Sequence, residues 1–223
     1  MKISVLIPAK NEAECLPLVL QELKKNQPSA EIIIVDGAST DSTAEIAINS
    51  GAKLISQSLP LGYGSGVMQG LSECKGEAIC FFDADGSYDP KAIPQMLEEL
   101  NRGYDVIFCS RYAPGAGSDD DTWLRLMGNK IFTMLLRIFF RVQLSDALFL
   151  YALARRDVFS SLDMQSKGFD WCIEFPIRVH RAGLRYKEIP MRERPRIAGE
   201  SKVHAFRDGW RILYKLLRLR LAC

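Results

Sequence analysis

Asp83-Ala84-Asp85 places two carboxylates two residues apart, directly after the apolar run Ile79-Cys80-Phe81-Phe82. On an extended chain such residues point the same way, so both acids should emerge together where a buried strand ends. Two neighbouring carboxylates repel and raise each other's pKa unless a cation lies between them, and hard oxygen donors suit Mg2+ or Mn2+. A metal bridging to a diphosphate meets that need. One Asp could instead cap the following helix, but Asp89-Pro90 already supplies that start signal. Further along, Arg196 and Lys202 flank Gly199-Glu200-Ser201. Its Gly and Ser suit a simple turn and cap, whereas the two cations favour a phosphate clamp at a helix N-terminus. Gly62-Tyr63-Gly64-Ser65-Gly66 invites comparison with a dinucleotide fingerprint and fails it, because it follows the third strand pattern rather than the first. It is expected to be a flexible turn that lets backbone approach a ligand.

The elements that must hold these residues are legible as alternation. Continuous apolar runs at Ile3–Ile7, Ile32–Val35, Ala78–Phe82 and Val106–Cys109 have strand length and suit strands covered on both faces. Helical patterns lie between them: Leu16, Val19, Leu20 and Leu23 after Asn11; Ala44, Ile46 and Ala47 before Gly51; Ile93, Met96, Leu97 and Leu100 before Gly103. Strand and helix in alternation predict βαβ units, an α/β fold with a mostly parallel, Rossmann-like sheet and helices on both faces. Ligands then bind at the carboxyl ends of the strands. Residues 114–121 are small and charged and are expected to form a mobile loop, a candidate lid. A long apolar helix over about 123–140, a short segment over 146–153, a helix over about 170–182, a strand near 184–189 and a terminal helix from about Val203 follow.

Composition sets the bounds. The 223 residues suffice for one sizeable core, and 48% hydrophobic with 25% charged residues excludes a disordered or fibrous chain. A net charge of +2 gives no whole-molecule attraction for nucleic acid. The six cysteines are dispersed without zinc spacing and read as reduced thiols of a cytoplasmic protein, with no signal peptide expected. No apolar stretch reaches the roughly 20 residues of a membrane span.

The runs Ile3–Glu12 (ISVLIPAKNE), Ile34-Val35-Asp36 with Ser39-Thr40-Asp41, Asp83-Ala84-Asp85-Gly86, Ser110-Arg111-Tyr112 and Arg196–Lys202, in this order, resemble the family 2 glycosyltransferases of the GT-A fold. The similarity is greatest to the dolichyl-phosphate mannose and glucose synthases. It implies a single GT-A domain over 1–223, with a nucleotide-binding half at 1–112 and an acceptor-side half at 122–223. It also implies that Pro8, Ala9, Glu12 and Asp36 hold the base and ribose, with Gly64 in the Gly-rich turn beside the donor. Asp83, Ala84 and Asp85 would face the diphosphate, with Asp83 and Asp85 on the metal and Ser87 where relatives often carry a further ligand. Arg111, Arg125, Arg196 and Lys202 would gather around the donor diphosphate and the acceptor's phosphate, which suits the guanidinium fork.

The expected activity is metal-dependent, inverting transfer of a hexose from a UDP- or GDP-sugar to a polyprenyl phosphate. Transfer to a hydroxyl of a saccharide or small metabolite is the alternative, and a non-catalytic nucleotide- or partner-binding subunit the second. A hydroxyl acceptor requires a general base, sought first at Asp146, Asp170 and Glu174, whereas a phosphate is already anionic near neutral pH. Leu150 and Ala152 replace a Gly and an Arg of the family pattern, and Gly37 replaces an acid common after Asp36, so the acceptor side is expected to be altered. In the terminal helix Val203, Phe206, Trp210, Leu213, Leu217 and Leu221 form one stripe and Arg207, Arg211, Lys215 and Arg218 another. The apolar stripe is expected to pack on the core. The alternative is that the helix rests on an anionic membrane surface or a membrane partner, giving a peripheral location at the cytoplasmic face.

Overall fold

A computed structural model describes residues 1–59, 61–199 and 204–221. The expectations for Glu200, Ser201, Lys202 and Val203 therefore lie outside the described residues. Strands β1 (Ile3–Ala9), β2 (Glu31–Asp36), β3 (Lys53–Ser56), β4 (Ala78–Phe81), β5 (Val106–Ser110), β7 (Ala152–Arg155) and β8 (Tyr186–Pro190) form one sheet in the order β3-β2-β1-β4-β7-β5-β8. All its pairings are parallel except those of β7, which runs antiparallel between β4 and β5. The sheet is thus completed by strands from the second half of the chain.

Side-chain alternation along each strand explains why the runs are apolar throughout. Leu6, Ile33, Ile79, Phe81, Val106 and Phe108 face one core, while Val5, Ile7, Ile32, Ile34, Cys80 and Ile107 face another. The second is closed by helices α1 (Leu16–Asn26), α2 (Thr43–Asn49) and α4 (Ala92–Asn101) through Leu16, Ala47, Ile93 and Met96. The first is closed by α3 (Tyr63–Glu73), α5 (Trp123–Phe140), α6 (Trp171–Arg181) and α7 (Ala205–Leu221) through Val67, Leu136, Phe175 and Leu216. Trp171 and Phe175 stack at 4.7 Å over Phe81. Each such fully buried side chain contributes about 1.5–3 kcal/mol through its removal from water.

Crossovers from β1 run outward through β2 to β3, and α3 then returns the chain to β4 on the other side of β1. The reversal leaves a crevice beyond the carboxyl ends of β1 and β4, where Pro8, Ala9 and Asp83 sit. Two expectations are corrected here. The Gly62–Gly66 segment is the N-terminal turn of α3 rather than a flexible turn: Gly62 has φ +97°, and a Cβ on Gly64 would lie 2.4 Å from the Ser166 carbonyl oxygen. The 114–121 segment is not loop throughout. Within it β6 (Gly117–Ser118) pairs in parallel with β9 (Arg192–Glu193), and Arg192 holds Asp119 at 2.5 Å.

The apolar stripe of α7 is also corrected. The helix buries Asp208, Ile212, Lys215, Leu216 and Leu219, so Phe206, Trp210, Leu217 and Leu221 of the expected core stripe face outward. Lys215 is drawn inward because Glu174 of α6, wholly buried, accepts its Nζ at 3.0 Å. On the adjoining α5, Trp123, Met127, Ile131, Met134 and Ile138 are exposed as well.

Candidate active site

A cleft of about 570 Å3 opens at the crevice between β1 and β4, and α5 and α7 roof it. Asp83 and Asp85 both line it, from the bend that follows β4. Positive φ at Gly86 (+84°) turns the chain away sharply, and the Ile197 side chain fills the place a Cβ would take. The turn is then fixed by its own amides. Ala84 N–H donates to Asp83 Oδ1 at 2.7 Å, and Ser87 N–H to Asp85 Oδ1 at 2.8 Å. The segment carrying Arg196 runs alongside, with Arg194 N–H donating to the Ser87 carbonyl and Ile197 N–H to the Asp85 carbonyl, each at 3.0 Å.

The electrostatics are those of a crowded carboxylate pair. Burial first, then the charge of Asp85, push the Asp83 carboxyl well above its ordinary value. Asp85 meets a cation, because Arg196 Nη2 lies 2.9 Å from its Oδ2 while Arg196 Nη1 lies 3.2 Å from Glu12. Burial works against the guanidinium's charge, but Asp85 and Glu12 prevail and hold its pKa above the usual Arg value. A mutually repelling pair of hard oxygen donors aimed into one open cleft fits a divalent cation such as Mg2+ or Mn2+.

The remaining residues divide into those the cleft gathers and those it does not. Pro8, Ala9, Glu12, Ser87, Arg111 and Arg125 line it. Asp36 lies buried at the end of β2, where its Oδ2 accepts Ser39 N–H at 3.2 Å and its Oδ1 finds no partner among the described residues. Ala84 is corrected, since its side chain is wholly buried in the core beneath the turn. Gly64 is corrected too: it packs on the 166–168 backbone and donates its N–H to the Gly168 carbonyl at 3.2 Å, so its lack of a side chain serves packing, not a ligand. Arg125 at the start of α5 pairs with Asp120 at 3.2 Å.

Arg111, which lines the cleft, is held by acids on two sides. It forks onto Asp146 through Nε at 2.7 Å and Nη2 at 3.0 Å, reaches Glu193 at 3.3 Å and stacks over Phe149. Asn129 completes the arrangement by donating to Asp146. Arg111 thereby links the end of β5 to Asp146 and to β9. The expected bases fare similarly: Asp146 is wholly buried in this pair, and Glu174 accepts Gln165 and Ser166 amides, Arg178 and Lys215. Asp170 is not among the lining residues. Leu150 does line the cleft, whereas Ala152 lies in β7 opposite Phe81 and Phe108, inside the sheet, so its difference from the family pattern alters core packing rather than the acceptor side.

Arg207 and Arg211 of α7 also border the cleft, a position their sequence did not reveal. Their four-residue spacing is visible in the chain, but it equally describes a solvated stripe. Asn129 and Glu193 were missed because each is brought in by tertiary contacts alone, whereas Lys10 follows β1 within the Ile3–Glu12 run.

Comparison with known proteins agrees with this geometry. The model of the "Glycosyl transferase family 2" matches residues 4–163. An uncharacterized glycosyltransferase of Mycobacterium tuberculosis is 30% identical over 219 residues, 95% of this chain and 97% of its own length. The undecaprenyl-phosphate mannosyltransferase of Micrococcus luteus is 29% identical over 214 residues, covering 91% and 88% of the two chains. Among solved structures, glucosyl-3-phosphoglycerate synthase from Mycobacterium tuberculosis, crystallised with Mn2+, UDP and glucosyl-3-phosphoglycerate, superposes with a TM-score of 0.75 at 22% identity, covering 97% of this chain and 79% of that one. The fold is therefore GT-A, and the chain belongs to glycosyl transferase family 2 and is a glycosyltransferase.

Proposed function

We propose that this enzyme transfers a hexose from a UDP- or GDP-sugar to a polyprenyl phosphate, with inversion, using Mg2+ or Mn2+ held by Asp83 and Asp85. The observation that carries the donor half is the carboxylate pair at the end of β4, lining a cleft of nucleotide size beside Arg196. Bound there, the cation would neutralise the leaving diphosphate, an electrostatic contribution that needs no proton transfer. Ser87 Oγ lies near enough in sequence to contribute a further oxygen. Pro8, Ala9, Glu12 and Asp36 form the nucleoside side, where the unpartnered Asp36 Oδ1 suits a ribose hydroxyl or base N–H. In this reading residues 1–112 form the nucleotide-binding half and 122–223 the acceptor-side half.

The acceptor half rests on how the cleft's acids are used. Of those lining it, Glu12, Asp85, Asp120, Glu193 and Asp208 each lie within 4 Å of an arginine nitrogen, and the remaining acid, Asp83, belongs to the metal pair. A hydroxyl nucleophile would have to draw its proton acceptor from these ion pairs, among them Glu193, whose pKa burial raises. A phosphate nucleophile needs none, and Arg125, Arg207 and Arg211 edge the cleft where its charge would lie. The outward apolar residues of α5 and α7, interspersed with Arg137, Arg207, Arg211 and Arg218, suit a face resting on an anionic bilayer from which such a lipid is drawn. No helix among the described residues is long and apolar enough to cross a membrane. The location that follows is cytoplasmic, peripheral at the membrane face.

The test is transfer of labelled hexose from UDP- and GDP-sugars in Mn2+, offered polyprenyl phosphate and, separately, soluble hydroxyl acceptors. A chloroform-soluble labelled product that EDTA abolishes is expected. Labelling confined to a soluble hydroxyl acceptor would contradict the acceptor assignment while leaving the donor assignment standing.

A further inference from the structure

The cation already at Asp85 is Arg196. Its two terminal nitrogens divide between Asp85 Oδ2 at 2.9 Å and Glu12 at 3.2 Å, and backbone pairing of Arg194 and Ile197 with Ser87 and Asp85 fixes the segment that carries it. Asp85 Oδ1 accepts the Ser87 amide and the guanidinium lies on Oδ2, where another cation would compete with it. Arg196 and Asp85 are both largely withdrawn from solvent, with side-chain exposures of 16% and 8%, so water screens their attraction little. A divalent ion at the carboxylate pair would meet a fixed positive charge a few ångströms away. A diphosphate changes the sign of that interaction, because its oxygens offer the guanidinium a planar, bidentate partner and a new anion for the metal.

We infer that Arg196 is a partner-exchanging counter-cation: it holds Asp85 until a nucleoside diphosphate arrives, then moves to the phosphate oxygens, so that metal and nucleotide bind as one unit. The inference rests on the metal assignment proposed above and adds a function for Arg196 opposite in sign before and after nucleotide binding. Without nucleotide it disfavours the metal, and with nucleotide it favours the metal–diphosphate pair. Reciprocity of linkage requires that the nucleotide's gain from metal equal the metal's gain from nucleotide.

Mn2+ binding by the full chain, counted by electron paramagnetic resonance of the free ion with and without UDP or GDP, tests this. The wild type is expected to bind Mn2+ alone weakly, and at least about tenfold more tightly with the preferred nucleotide, a coupling of about 1.4 kcal/mol. Arg196→Gln should bind Mn2+ alone about tenfold more tightly than the wild type and lose a similar factor of the nucleotide-driven gain. A merely structural Arg196 would not strengthen metal binding on its removal. Arg196→Lys keeps the charge but cannot span Asp85 and Glu12 with two planar donors, so its Mn2+ affinity should fall between the two, and it supplies the test if the Gln variant fails to fold. Unchanged or weaker affinity for Mn2+ alone in a folded Arg196 variant would overturn the inference, with the metal assignment intact if the wild type binds Mn2+ with nucleotide. Absence of Mn2+ binding by the wild type, with or without nucleotide, would overturn both.

Discussion

Asp83 and Asp85 occupy equivalent positions on one turn but meet different surroundings, and their substitutions should separate accordingly. Asp85→Asn keeps the shape of the side chain and its amide contact with Ser87 while losing the charge. If it steadies a cation at the developing diphosphate, transfer should fall by about 10^2–10^3-fold, the usual cost of one preorganised electrostatic group. A steady-state transfer assay reads this directly, and full turnover would exclude the assigned role. Asp83 predicts an effect on stability instead. Its carboxyl is raised by burial and by Asp85. A group raised on folding favours the folded state while protonated, below the ordinary carboxylate range, and that contribution is lost as pH climbs through the raised value. Asp83→Asn never ionises. In EDTA it should melt above the wild type at neutral pH and converge with it in acid, in melts run from about pH 4 to 8. Parallel curves for the two proteins would show that Asp83 carries no such strain.

The elements behave as their residues dictate, with exceptions that have physical causes. The four apolar runs became β1, β2, β4 and β5, and the end of β4 was readable because alternation needs no tertiary information. The α3 helix was hidden by its glycines, which are poor helix formers and are kept because other chain segments press against them. Gly64 abuts the Ser166 carbonyl and Gly70 the Leu6 side chain. Gly64→Ala should therefore destabilise by about 1–3 kcal/mol through overpacking, seen as a lowered melting temperature, although Ala has the better helix propensity. A higher melting temperature would contradict the packing assignment. The faces of α7 were mistaken because one helix carries two apolar stripes, and only the Lys215–Glu174 pair and the packing of Ile212 and Leu216 decide which one turns inward. The outward stripe makes its own test. Trp210→Ser with Phe206→Ser should weaken cosedimentation with anionic vesicles by tenfold or more without lowering the melting temperature, since both side chains are mostly exposed, at 72% and 85%. Unchanged vesicle binding would detach the membrane from α7.

At the scale of the whole molecule, one sheet joins the two halves. β7 enters between β4 and β5, and β8 adds beside β5, so strands from the second half of the chain are built onto those that position Asp83 and Arg111. Arg111 fastens this junction through Asp146 and Glu193. Its engagement could not be read from the chain, because its partners lie 35 and 82 residues away. What joins all three scales is the carboxylate pair proposed to take a divalent cation and a diphosphate together. Calorimetric titration of UDP and GDP into the wild type and Asp85→Asn, in Mn2+ and in EDTA, measures this most directly. Binding of one nucleotide that depends on Mn2+ and on Asp85 is expected; binding of equal strength in EDTA, or in the variant, would contradict it.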